Sequence, residues 1–283
     1  MSGKSNAVVQ AADAFTLLAQ QSLTAGTGVV ESTGDRVNTV LSMPSVGWPL
    51  TQRRIDEGSA EVGADVFDPA DTALSYLQLV EASEQGQLFM DKDGYVKFVR
   101  GTVSPTASAS KATFADDGTG IAYTSAAISY GTELLYNQVT VSAPTSTQTW
   151  ENLDSQLKYG ITTTDVETVL GNSAAVLSLA QFWVAKYGEP EYRFEALEVS
   201  LDGLSGADVD TVLNVELGDL VEIKFTPNGI GSPIERFGQI TKIDHSIGAD
   251  RHTVTFGFGS LQFSFLVLDD PGFGILDEYV LAF

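Results

Sequence analysis

The strongest constraint on the fold is a two-residue rhythm in the last third of the chain. Val221, Ile223 and Phe225 alternate with polar neighbours, and so do His252, Val254, Phe256 and Phe258. Alternation of this kind marks a strand buried on one face, because successive side chains point to opposite sides of a sheet. Shorter runs of the same character predict strands over Ile121–Tyr130, Leu134–Val141, Tyr192–Leu201, Leu220–Phe225, Gly238–Ile247 and His252–Phe263. One helix interrupts them, "NSAAVLSLAQFWVAKYGEP", with Asn172 or Ser173 as cap, Gly188 as stop and Pro190 beyond. This order predicts a mainly β fold with α elements (α+β), an antiparallel barrel or sandwich carrying one helix.

The first hundred residues read differently. In "FDPADTALSYLQLVEASEQG" Asp68 is placed to cap, Pro69 to open the helix and Gly86 to close it, with Leu74, Leu77 and Val80 on one face. Helices are also predicted near Val8–Gln21 and Arg36–Met43, and "MPSVGWPL" breaks the pattern. The helix runs into "QLFMDKDGYVKF", whose Asp91-Lys92-Asp93-Gly94 begins like a calcium loop. Counted from Asp91, however, the sixth position is Val96 and the twelfth Thr102, where such a loop needs Gly and Glu. Aromatic and β-branched runs flank the acids, so the segment reads as a hairpin with Gly94 at a position of positive φ. "VSPTASASKA", small and almost uncharged, has the composition of a linker or an exposed crossover. The expected division is a helix-and-hairpin domain over 1–105, a β-barrel domain over 106–268 and a C-terminal arm over 269–283.

Charge narrows the function. Of 283 residues, 15 are basic and 37 acidic, a net charge of −22. Such a balance disfavours a phosphate-gripping surface, since affinity for nucleic acid is built from Lys and Arg; the favoured reading is a solvated, colloidally stable surface, and the sharper one a surface that repels polyanions. Residues 106–283 carry most of the excess, with eight basic side chains against twenty-four acidic. No apolar run reaches the length of a bilayer span and no charged-then-apolar leader opens the sequence, so a soluble chain is expected. The absence of cysteine removes disulfides and thiolate metal sites.

Candidate chemistry is sparse. The two histidines, His245 and His252, lie near the ends of adjacent strands in "KIDHSIGADRHTV". Cross-strand neighbours can form a metal pair, but a structural or solvent-facing role is the favoured reading, with Asp244, Asp250 and Arg251 as turn residues or ion-pair partners. "DGLSGAD" around Ser205 does not form a nucleophile elbow. The Gly-rich "TAGTG", "NGIGS" and "GFGS" lack the lysine and the strand-to-helix context of a phosphate loop. Asp116/Asp117 and Asp269/Asp270 read as turn acids as readily as a catalytic pair. No catalysis and no cofactor are expected.

Three passages carry a resemblance. They are "TGDRVNTVLSMPSVGWPLTQRRIDEG" with "ALSYLQLVEASEQGQLFMDKDGYVKFVRG"; then "LYNQVTVSAP", "DSQLKYG", "LAQFWVAKYGEPEYRFEALEVSL" and "LGDLVEIKFTP"; and last "LDDPGFGILDEYVLAF". Together they resemble the minor tail proteins of long-tailed (siphovirus-like) bacteriophages, especially the baseplate-hub type of actinobacterial phages. The resemblance implies a structural virion protein of the tail tip, made in the host cytoplasm and linking the tail tube to the distal tip. It implies a tube-like module around the DNA ejection channel, whose acidic wall meets DNA only in transit. Implied partners are further copies of the chain, as a homotrimer or a hexamer, and the distal tail, tube, tape measure and tip or fibre proteins. No membrane insertion follows from it. Hub relatives carry a further N-terminal β-rich region, which this chain would lack through a shorter gene or a divided hub. The C-terminal arm would lie across a neighbour or across its own barrel. Its candidate contacts are Leu268, Phe273, Ile275 and Leu276, followed by Tyr279, Val280, Leu281 and Phe283. A receptor- or carbohydrate-binding module is the alternative, with Trp48 the best placed of Trp48, Trp150 and Trp183 to stack on a sugar, although packing is the favoured reading of Trp48 and of Trp183.

Overall fold

The computed structural model describes residues 12–101, 110–227, 231 and 233–263. It divides into two compact units, each discontinuous along the chain. One comprises residues up to Gly101 with Val141–Gln148 and Asp165–Leu179; the other comprises Thr102–Thr140, Thr149–Thr164 and Ala180 onward.

The first unit opens with α1 (Phe15–Leu18), β1 (Gly26–Thr27), β2 (Glu31–Ser32), α2 (Thr33–Leu41) and β3 (Arg53–Ile55). It continues through β4 (Glu61–Val62), β5 (Val66–Phe67), α3 (Ala73–Glu84), β6 (Gln87–Met90) and β7 (Val96–Val99). Strand β7 pairs antiparallel with β6 and parallel with β3, whereas β1–β5 and β2–β4 are ladders of two residues each. Helix α2 starts at Ser32, whose side chain accepts from the Asp35 N–H. Its inward face carries Thr33, Arg36, Val37, Val40 and Leu41, which pack toward Leu77, Val80 and Phe98. Val8–Gln21 is a helix only over Phe15–Leu18 among the described residues.

Helix α3 begins later than Asp68-Pro69 predicts. Residues 71–73 are occupied in an extended pairing with 21–23: Leu23 N–H donates to Asp71 O at 3.0 Å, and Ala73 N–H to Gln21 O at 2.8 Å. Asp68 therefore closes a turn onto Ala70 N–H, and Thr72 with Ser75 forms the capping box. At the other end Gln85, at φ +55°, takes the left-handed position that the sequence assigns to Gly86.

The hairpin forms as expected, with Leu88 opposite Phe98 and Gly94 at φ +83°. Asp91 Oδ1 accepts from the N–H groups of Asp93 and Tyr95 at 3.0 and 2.9 Å. Arg54 reaches Asp91 Oδ2 at 2.7 Å and Asp93 Oδ2 at 3.2 Å. The acids that suggest a calcium loop thus brace a turn and hold a guanidinium.

The second unit is built on β8 (Thr113–Ala115) and β9 (Ser125–Tyr130), followed by β10 (Gln138–Ala143), β11 (Ser146–Glu151), α4 (Leu153–Tyr159), β12 (Thr163–Glu167) and α5 (Ser173–Tyr187). It ends with β13 (Tyr192–Ser200), α6 (Gly206–Leu213), β14 (Leu220–Phe225), β15 (Ile234–Ile247) and β16 (His252–Phe263). Elements β10, β11, β12 and α5 each contribute residues to both units. Six strands form one sheet in the order β8-β14-β15-β16-β13-β9, curled into a half-barrel. All its neighbours are antiparallel except β8 and β14. Phe114, Leu197, Val199, Val221, Ile223, Val254 and Phe256 fill the inner face. Phe194 breaks the two-residue rhythm of β13, and a bulge at Glu195 restores it. The partner of Phe194 is Ile128 and that of Ala196 is Ala127, so one extra residue lets Phe194 and Leu197 face the same core.

Candidate functional site

Two neighbouring stretches of the second unit carry surface that a folded chain ordinarily hides. The first is β9, "SAAISY", at the end of the sheet. Among the described residues it pairs with β13 alone. Edge strands are normally blunted by charges, proline or a covering element, because unpaired N–H and C=O groups template further strands. Strand β9 contains no charged residue and no proline. Its last residue, Tyr130, is exposed and lies 4.4 Å, ring to ring, from exposed Tyr192.

The second is α4, whose polarity is inverted. Asn152 caps it by accepting from Ser155 N–H at 3.0 Å, and Gly160, at φ +81°, ends it. The residue it buries is Ser155, while Leu153 is 61% and Leu157 86% exposed. A surface helix normally does the reverse. Fully buried Asn137 fixes this orientation: its Nδ2 donates to Ser155 Oγ at 3.2 Å and to Gly160 O at 2.7 Å, and its Oδ1 accepts from Thr162 N–H at 2.9 Å. Ser155 Oγ in turn donates to Gly188 O. The polar residues on the inner side are therefore committed, and Leu153 and Leu157 are left in water with Ile161 just beyond. Beside them Trp150, Asn152, Asp154, Gln181 and Val184 line a groove of 480 Å³. Contiguous apolar surface of this kind is characteristic of an interaction site.

The sequence-predicted residues fall into three groups. Leu268, Phe273, Ile275, Leu276, Tyr279, Val280, Leu281 and Phe283, with Asp269 and Asp270, lie outside the described residues. Trp48, the best placed of the three to stack on a sugar, instead takes the packing role favoured for it: it is buried in the first unit's core with Nε1 donating to Gln52 O at 3.2 Å. Trp183 is half-buried and stacks on Tyr187, leaving Trp150 as the exposed indole. The structure brings His245 and His252 together, with Nδ1 and Nε2 3.1 Å apart.

The remaining candidates have structural work. Ser205 caps α6, accepting from Asp208 N–H at 3.2 Å. Asp116 accepts from Thr226 N–H at 2.7 Å. The hydroxyl and N–H of Thr119 hold Asp117 below the usual carboxylate range. Burial, then the charge of Asp116, pushes Tyr123 up to about 12. No group of three or more His, Cys, Asp or Glu able to hold a metal ion occurs among the described residues. No helix among them is long and apolar enough to cross a membrane. The sequence predicts a single helix after residue 105, whereas the structure has three among the described residues; α6 was missed and, at this surface, α4. Its signals were present, in Asn152 as cap, Gly160 as stop, and Leu153 and Leu157 four residues apart.

No protein-family model matches the sequence, and no curated protein matches it. Solved structures do share the fold. The chain is similar to the tail protein from Neisseria meningitidis MC58 at a TM-score of 0.53 and 14% identity, over 86% of this chain and 71% of that one. It is similar to the 43 kDa tail protein of prophage MuSo2 from Shewanella oneidensis at 0.52 and 13%, over 85% and 68%.

Proposed function

We propose that this chain is a structural protein of a bacteriophage tail, a hub-type module of the tail tip that surrounds the DNA ejection channel. The observation that carries the reading is a fold shared with phage tail proteins across more than four-fifths of the chain. Two features support a role in an assembly. An uncharged edge strand and an outward-facing leucine pair are both made safe by neighbouring subunits. Eight basic against twenty-four acidic side chains after residue 105 suit a wall past which DNA slides without adhering. The copies form a ring, a homotrimer in preference to a hexamer, joined to tube, distal tail, tape measure and tip proteins. The C-terminal residues from Leu268 to Phe283 contribute to the contact between copies. The chain carries no catalytic activity in this reading, and its site in the particle is the virion tail.

A reconstruction of intact particles tests the proposal: density for this chain on the tail axis, with acidic side chains toward the lumen, is expected. Density off the axis, or a lumen lined by Lys and Arg, overturns it. Changing Leu153 and Leu157 together to Ser should reduce incorporation into particles while leaving the purified chain folded; normal incorporation removes α4 from the contact. A second reading, a carbohydrate-binding module, is favoured by the exposed Trp150 beside Asn152, Asp154 and Gln181. Glycan binding by the isolated chain that is lost in Trp150→Ala would establish that reading.

A further inference from the structure

The β15–β16 hairpin carries both histidines of the chain at its far end. Its ladder is regular there, with His245 opposite Val254 and Ile247 opposite His252, and Gly248 N–H closing the turn onto Arg251 O at 2.7 Å. Register places His245, Ile247, His252 and Val254 on one face, which further along is the core face of Ile243 and Phe256. At this end the core has run out. Val254 is fully buried and Ile243 half-buried, but His245 is exposed and Ile247 is 72% exposed. Two imidazoles are thus held by paired backbone, on a face that water reaches.

Their geometry is specific. Nδ1 of His245 lies 3.1 Å from Nε2 of His252, with the rings inclined at 50°. Two nitrogens bound to one ion at ~2.0–2.1 Å each, at angles from a right angle to the tetrahedral angle, are about 2.9–3.4 Å apart. The observed separation falls inside that bite. A direct hydrogen bond between the rings also satisfies it, and the two arrangements differ by a tautomer. In the chelate each ring is neutral, His245 with its proton on Nε2 and His252 with its proton on Nδ1. The proton that bridges the rings in the hydrogen-bonded form moves to the opposite nitrogen of the ring that carried it, and none is released.

We propose that His245 and His252 form a two-histidine chelate for a divalent transition metal of the zinc, nickel and copper class. Imidazole nitrogen selects these ions over calcium and magnesium, which take oxygen. The nearby charges do not compete for the rings. Lys242 is paired with Asp244 at 2.6 Å, and Arg251 reaches toward Glu198 at 4.0 Å. A net charge of −22 favours the approach of a cation. Since no third metal-binding side chain joins the pair among the described residues, the other coordination positions belong to water or to a ligand atom of another molecule.

Calorimetric titration of the untagged full chain with copper(II), nickel(II) and zinc(II) chlorides tests the site. Saturable binding is expected, tightest for copper in keeping with the general order of affinities. His245→Ala or His252→Ala should each weaken binding at least ~10-fold, since even groups that merely orient a ligand are worth that much. One ion per chain indicates water in the remaining positions; one ion per two chains indicates a second molecule, and either supports the site. The paramagnetic resonance spectrum of the copper form should show coupling to two imidazole nitrogens. Failure of the wild-type chain to bind at millimolar metal overturns the proposal, as does undiminished binding in the double His→Ala variant. Both side chains are accessible to water, so the variants should keep the parent circular dichroism spectrum.

Discussion

The two units solve the same problem by different means. In the second, strands of up to fourteen residues hydrogen-bond to one another and their alternate side chains make an apolar core. In the first, β1–β5 and β2–β4 hold two residue pairs each, too little ladder to fix the loops between them. Buried charge takes over. Arg36, with no exposed surface, bonds Glu31 at 2.5 Å, the Tyr76 hydroxyl at 2.5 Å, and the carbonyls of Val29 and Gly63 at 2.6 and 2.7 Å. Its guanidinium also lies 5.5 Å from the centre of the Phe67 ring. Glu84 gathers a second set, accepting at Oε2 from the Thr33 hydroxyl and from the N–H groups of Ser59 and Ala60. Irregular backbone can thus be made as definite as a sheet, but only by groups that are costly to lose.

Arg36→Met breaks the comparison most severely. It takes the guanidinium away from Glu31 Oε1 and from two carbonyls, and should cost about 3–5 kcal/mol in denaturant unfolding of the first unit. Retention of parent stability would mean that the network is ornamental. Glu84→Gln comes next. Its amide nitrogen would take the place of Oε1, which is buried and has no hydrogen-bond partner, so a loss of about 1–3 kcal/mol is expected in the same measurement.

Ile223→Val probes the second unit, where one methyl is removed from a fully buried site. Its cost should be about 0.5–1.5 kcal/mol, and a larger value would show that the sheet too depends on single side chains.

The smallest effect sharpens the contrast through pH. Burial raises the Glu81 carboxyl above its ordinary range, against the opposing hydrogen bond from Leu88 N–H. Its stabilising contribution is therefore present below the ordinary carboxylate value and is lost as pH rises through the raised one. Glu81→Gln should be slightly more stable than the parent at pH 7, and the difference should vanish near pH 4. A gain that is independent of pH would point to packing instead.

What the sequence made legible follows the same division. Leu220–Phe225 and His252–Phe263 were readable to the residue, because their rhythm reports one buried face and nothing else competes with it. Helix α3 was misplaced at its start because the extended pairing of 71–73 with 21–23 spans some fifty residues, beyond the reach of any local cap rule. Arg36 was legible in principle, since it falls in phase with Thr33, Val37 and Val40 on the buried side of α2. Reading it required treating a charge as a core residue. The outward leucines of α4 were hidden for the converse reason: their spacing marks an amphipathic helix, but only Asn137, a residue outside the helix, says which face turns inward.

The two ends of the half-barrel bear on how copies could be arranged. The β8 end is covered by its own chain, where Ile121 N–H donates to Thr113 O at 2.8 Å and Ala115 N–H to Ile121 O at 3.1 Å. Strand β9 has no such cover among the described residues. A contact of β9 with β9 would be self-complementary and would stop at two copies, whereas a closed ring of three or six needs a head and a tail on each member. Among the described residues the sheet offers one open edge, which in the proposed ring would supply one half of such a joint. The other half must come from a different surface of the same chain, which makes the ring a prediction about unlike patches meeting rather than about strands joining into one continuous wall.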